Sequence, residues 1–267
     1  MGIINFERKV IEKLIKLIPA PHENKFGELV ADYLLSDGCV HLGLEFPQEV
    51  EARVNDYARG KTSYDKLMEL LIGGDVISPY FERGFRPILQ ALPELYQRNK
   101  SFSAHCYEDF GRYNDWVFCR DELVLALLGD EDFASILGLY QKLVNETKRR
   151  NTAIAERLVT LASNVGTLHV VIGRLHAPDV ASRLEKKFAL KTVVLEDIYL
   201  TPLDESLILY LKGLKFQDAE ILDFLRRHRE LALEAEREGR EITDLLRDGE
   251  IGKKFRLKKY SELAAMG

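Results

Sequence analysis

His176 stands three residues beyond Gly173, which ends the apolar, β-branched run Thr167–Ile172. Pro178 follows, and Val180, Leu184 and Phe188 then recur at helical spacing, so the stretch reads as strand, tight turn and helix. In an open α/β sheet the loops at the carboxyl ends of the strands diverge, helix N-termini point into the crevice between them, and ligands bind there. A histidine in that position titrates near neutral pH and can take a proton from water or ligate a metal. Two earlier strand ends also carry ionisable residues: His22 lies in the loop Pro19-Ala20-Pro21-His22-Glu23-Asn24, and Glu45 closes the run Cys39–Phe46. A carboxylate at the end of a buried strand needs a partner. A third strand, Ser101–Tyr107, closes with Glu108-Asp109, which makes both acids candidates for the same crevice.

The elements that would position these residues follow from periodicity. Residues 3–18 read as a short helix running into a strand that ends near Pro19, and Gly27 to Leu35 as a helix stopped by Asp37-Gly38. Residues 48–98 are helical by pattern, with breaks at Gly73-Gly74 and around Ser78-Pro79. Further helices are expected from Asp115 to Leu128 and from Glu131 towards Leu161, the second either continuous or broken near Arg149-Arg150-Asn151. Arg150, Ile154, Leu158 and Leu161 share one helical face. An arginine in line with an apolar stripe either snorkels at its edge or holds an anion, and pattern alone favours snorkelling. A fifth strand is expected over Lys191–Glu196, and residues 204–247 read as wholly helical. The charged segment Arg226–Arg240 has the pattern of a solvated helix with His228 facing water, and the basic tail 253–260 that of a frayed terminus. His41 and His169 fall inside strands as core or face residues.

Composition narrows the classes. The chain has 267 residues and a net charge of −5, from 43 acidic against 38 basic residues, so nothing suggests a nucleic-acid partner. Cys39, Cys106 and Cys119 lack CxxC spacing, which argues against a disulfide framework or zinc ribbon and for buried apolar thiols. No run approaches a membrane span, and MGIINFERKV carries charges where a signal peptide would be apolar, so the expected location is the cytoplasm. The expected fold is α/β: a mainly parallel sheet of about five strands flanked by helices. Its core would cover residues 1–200 with a helical insert over about 48–98, and 201–267 would form a helical extension.

Taken in order, the stretches PAPHENKFGELVADYL, LGLEFPQEVEARVNDYARG, RRNTAIAERL and TLHVVIGRLHAPDVASRLEKK resemble the TraB/Tiki superfamily, which includes erythromycin-esterase-like and ChaN-like proteins. Its members show Gly-x-x-His after the first strand, a Glu after the second, an Arg in a late helix and a second Gly-x-x-His. Those positions match His22, Glu45, Arg150 and His176, and Asn55-Asp56-Tyr57-Ala58-Arg59-Gly60 is similar to a further pattern of the esterase branch. The chain departs from the family at Pro19, which stands where the first motif has glycine. The resemblance implies a hydrolase of ester or amide bonds in a small molecule or peptide, with His22, Glu45, Arg150 and His176 catalytic. Glu23, Glu108, Asp109 and Arg174 are the substrate-binding candidates beside them. One version has His22, Glu45 and His176 holding a divalent metal (manganese, cobalt or zinc) that keeps a position open for water. In the other, His22 is a metal-free general base oriented by Glu45, while Arg150 and His176 stabilise the oxyanion. The alternative to an enzyme is a scaffold that keeps the pocket for binding.

Overall fold

The computed structural model describes residues 13–21, 23–74, 76–129 and 131–266. The helix expected near the amino terminus and His22 lie outside them. Five strands, β1 (Leu14–Ala20), β2 (His41–Pro47), β3 (Ser103–Glu108), β4 (Thr167–Gly173) and β5 (Ala189–Thr192), form one sheet in the order β3-β2-β4-β1-β5. Every pairing is parallel. The central strands are apolar on both faces, as a parallel sheet covered on both sides requires.

Alternation along the strands divides the core. Ile18, Leu42, Leu44, Phe46, Ala104, Cys106 and Val171 pack under α1 (Asn24–Ser36), α2 (Glu51–Ala58), α3 (Tyr64–Leu71) and α4 (Pro79–Arg98). On the other face, Ile15, Leu17, Tyr107, Leu168, Val170 and Ile172 pack under α5 (Phe110–Leu128), α6 (Phe133–Ala162) and α7 (Ala177–Leu184), joined by α8 (Pro202–Leu211) and α9 (Asp218–Glu238). His41, Gly43 and Glu45 alternate with Leu42, Leu44 and Phe46 and so belong to the α5–α7 face. The free edge of β3 is capped by α2: Asn55 donates to the Ala104 carbonyl (2.7 Å) and accepts from its N–H (3.0 Å), while Glu51 accepts from the Cys106 N–H (2.9 Å). Among the described residues no helix is long and apolar enough to cross a membrane.

Several boundaries differ from the sequence expectation, each for a local reason. The fifth strand sits at Ala189–Thr192 rather than Lys191–Glu196; only the Val193 N–H still reaches the sheet, at the Leu17 carbonyl (2.8 Å). The helix from Phe133 to Ala162 is continuous through Arg149-Arg150-Asn151. The region 204–247 is not one helix, because Gly213 (φ 91°) and Gly239 (φ 62°) take left-handed conformations that end α8 and α9. The segment read as solvated is half inside: Arg227, His228 and Glu234 are buried, because α9 lies against α8 and the tail. His228 therefore does not face water. The tail is not frayed either, since Phe255, Leu257 and Tyr260 are buried and Arg227 donates to the Phe255 carbonyl (3.2 Å).

Candidate active site

The carboxyl ends of β2, β3 and β4 converge on Arg150, which α6 projects from its buried face. Its Nη2 donates to Glu45 Oε1 (2.7 Å) and to Glu108 Oε1, its Nε donates to Glu108 (3.1 Å), and its Nη1 donates to His176 Nε2 (2.8 Å). Arg150, Glu45, Glu108 and His176 are all 3% exposed or less. The snorkelling arginine expected from the apolar stripe is thus the opposite, a buried cation holding carboxylates. Strict alternation would send Glu45 and Glu108 to opposite faces. The register between β2 and β3 slips by one residue on β2 between Leu44 and Pro47, and at these strand ends both carboxylates reach one guanidinium.

Each partner is fixed in turn. Glu45 Oε2 accepts the Gly173 N–H (2.7 Å), and a Cβ on Gly173 would stand in van der Waals contact, 3.4 Å, with both Glu45 oxygens and His176 Cδ2. His176 Nδ1 meets Asn151 Oδ1 (2.7 Å), and Asn151 Nδ2 donates to Asp179 Oδ2 (2.9 Å), whose other oxygen accepts from Arg183 (3.2 Å). A carboxylate only accepts and a guanidinium only donates. The chain from Asp179 therefore turns the Asn151 oxygen towards the histidine, and the one from Arg150 requires a lone pair on Nε2. His176 is neutral, with its proton on Nδ1. Trp116 packs edge-on to His176 (ring centroids 5.2 Å apart) and lies 4.8 Å from the Arg150 guanidinium, while the Tyr113 ring lies 5.2 Å from it. Tyr113, unlike Trp116, Asn151 and Asp179, is half-buried rather than buried.

One cation faces two carboxylates, and the balance shows in their acidity. Burial pushes Glu108 up to about 7 and raises Glu45 above its ordinary 4.5, against the pull of Arg150. Burial also works against the Arg150 charge, but Glu108 and Glu45 outweigh it and hold the guanidinium protonated. Both carboxyls therefore keep a proton to higher pH than a free glutamate, Glu108 to about 7.

The remaining candidates separate. Asp109 is exposed and accepts the Arg112 N–H (2.9 Å) as the N-cap of α5, away from the cluster. Glu23 pairs with Arg247 (2.6 Å), which also holds Glu196 (3.0 Å). Arg174 is buried beside these charges, its Nη1 without a partner among the described residues, and burial lowers its pKa. Neither Glu23 nor Arg174 joins the Arg150 cluster. The described residues contain no group of three or more His, Cys, Asp or Glu arranged to hold a metal. Glu45 Oε1 and His176 Nε2 accept from the Arg150 guanidinium, and its fixed charge would repel a second cation placed beside it. His22 lies outside the described residues.

Sequence reading missed Asn151, Asp179, Trp116 and Tyr113. Two signals were available: an asparagine adjoining Arg150, and an aspartate three residues after His176 in the first turn of α7. Fold and site together define an α/β protein with a buried ionic cluster at the carboxyl edge of its sheet. Comparison of the chain with family models, curated proteins and solved structures finds no match in any of the three.

Proposed function

We propose that the chain is a divergent TraB/Tiki-type hydrolase of ester or amide bonds that works without a metal. The observation that carries this reading is the junction of Arg150 with Glu45, Glu108 and His176. Burying ions in this way gains little stability over well-packed apolar side chains, so a cluster at the ligand-binding edge of a sheet argues for chemistry. In this reading residues 1–200 form the catalytic core, 201–267 a helical extension, and the protein works in the cytoplasm on a small molecule or peptide.

Four of the five Arg150 N–H groups have acceptors among the described residues, and the remaining one, on Nη1, is the donor for a substrate carbonyl oxygen. Charge growing on that oxygen in the tetrahedral intermediate meets a guanidinium held permanently cationic. The carboxyl pair carries the proton: Glu108, poised at about 7, takes it from the attacking water as carboxylate and returns it to the leaving group as acid. His176 holds Arg150 in place through Nε2 and is a positioning residue, not the base. The half-buried Tyr113 ring is the cover that moves to admit substrate.

A panel of p-nitrophenyl esters and fluorogenic peptides, assayed from pH 5 to 9 with Glu108→Gln and Arg150→Lys beside the wild type, tests this. Turnover that falls by about 10²-fold or more in both variants, with a wild-type inflection near 7, supports it. Turnover that Glu108→Gln leaves unchanged overturns it. The near-complete burial of all four side chains favours a second reading, a non-catalytic scaffold in which the cluster is a structural knot. That reading predicts no turnover of any substrate, and stability losses in both variants.

A further inference from the structure

His41 opens β2, and His105, the third residue of β3, pairs with Gly43. His41 lies four strand residues from Glu45, about 13 Å, and His105 three from Glu108, about 10 Å, so these histidines do not belong to the Arg150 cluster. Their rings are half-buried, lie 5.6 Å apart between centroids at 32°, and bring His105 Nε2 to 3.4 Å from His41 Nδ1. A hydrogen bond between ring nitrogens would close to about 2.9–3.0 Å. Two nitrogens bound to one tetrahedral ion at 2.0–2.1 Å each stand about 3.3–3.4 Å apart. The observed spacing is the second.

We propose that His41 and His105 form a two-histidine site for one transition-metal ion of the zinc, nickel or copper(II) type, with water completing its coordination. Imidazole suits these ions over magnesium or calcium. Glu51, whose charge reaches His105, accepts the Cys106 N–H through Oε2 (2.9 Å) and faces Arg157 (3.7 Å). No third protein ligand completes the set among the described residues, so the ion is exchangeable rather than locked in. The ion ties the outermost strand β3 to β2 at the end where the sheet has no other side-chain link between histidines.

Calorimetric titration of the full chain with ZnCl2, NiCl2 and CuCl2, with histidine-ring NMR alongside, tests the site. One equivalent of zinc should bind, the His41 and His105 ring signals should shift first, and His105→Gln or His41→Gln should each weaken binding by about tenfold or more. His176→Gln should leave that binding in place, which separates this site from the Arg150 cluster. Circular dichroism of the glutamine variants confirms that they fold. No binding up to about 1 mM zinc, or zinc binding equal in His105→Gln and wild type, overturns the proposal.

Discussion

Replacing Glu108 by glutamine fixes that position in the shape of the protonated carboxyl, and its effect on stability against pH can be worked out from the site. Glu108 takes up its proton near 7 in the fold and near 4.5 in the open chain. Between those values the folded protein binds more protons than the unfolded one, so stability falls as pH rises; below 4.5 the group contributes nothing, and above 7 the loss is complete. The interval of about two and a half pH units at 1.36 kcal/mol each amounts to roughly 3 kcal/mol. Glu45, also raised, adds in the same direction. Four histidines push the other way: His41, His105, His169 and His228 are all held below the ordinary histidine pKa by burial, so their contribution to stability rises with pH through about 6.5. The whole-protein profile mixes these effects, but the difference between variant and wild type cancels the histidines. Urea unfolding followed by circular dichroism at pH 5, 6, 7 and 8 should therefore show Glu108→Gln gaining on the wild type by roughly 3 kcal/mol between the lowest and highest pH. A difference that stays flat within about 0.5 kcal/mol would refute the raised Glu108 pKa and with it the acid–base role of Glu108.

Three further outcomes follow from the geometry. Asn55→Ala leaves the Ala104 N–H and C=O without their side-chain partner and should cost about 2–4 kcal/mol in urea unfolding, with faster aggregation on warming, since the outer edge of β3 becomes available to other chains; an unchanged midpoint contradicts the capping role. Nitrogen-15 NMR of the wild type should find the His176 proton on Nδ1 and slow to exchange, with Asn151→Leu removing that protection; a proton on Nε2 would break the chain of hydrogen bonds from Asp179 to Arg150. A methyl group on Gly252 would meet the Tyr199 ring at 2.4 Å, so Gly252→Ala should lose about 1–3 kcal/mol, and the loss should shrink in a Tyr199→Ala background.

The strand, turn and helix around His176 were legible because everything that builds them is local: an apolar run, a glycine, and a proline at the start of the next helix. Glu45 was legible for the same reason. Arg150 was placed on the right face and given the wrong environment, because its partners lie 26, 42 and 105 residues away and a helical stripe does not say whether its edge meets water or a sheet. Glu108 and Asp109 could not be told apart by pattern; one reaches the guanidinium and the other caps a helix. The charged C-terminal helix misled for a similar reason. Arg227 and His228 are covered by α8, α5 and the tail, elements distant in sequence, which periodicity within α9 cannot report.

The length of α6 bears on how this molecule can move. Its 30 residues make a rod about 45 Å long. Arg150 sits a little past the middle, and β3, β4, α5, α7, α8 and α9 all bear on the rod along its length. Swinging Arg150 towards a ligand would drag most of the molecule with it. Packed along its length in this way, the rod should be the stationary part, with the amides around Arg150 expected among the slowest to exchange of the described residues. Motion at the cluster falls instead to the α5 side, where the first turn is exposed at Phe110, Gly111 and Arg112 and the Tyr113 ring can turn on its own bonds. Ligands that slow amide exchange in that turn while leaving α6 untouched would mark it as the working end.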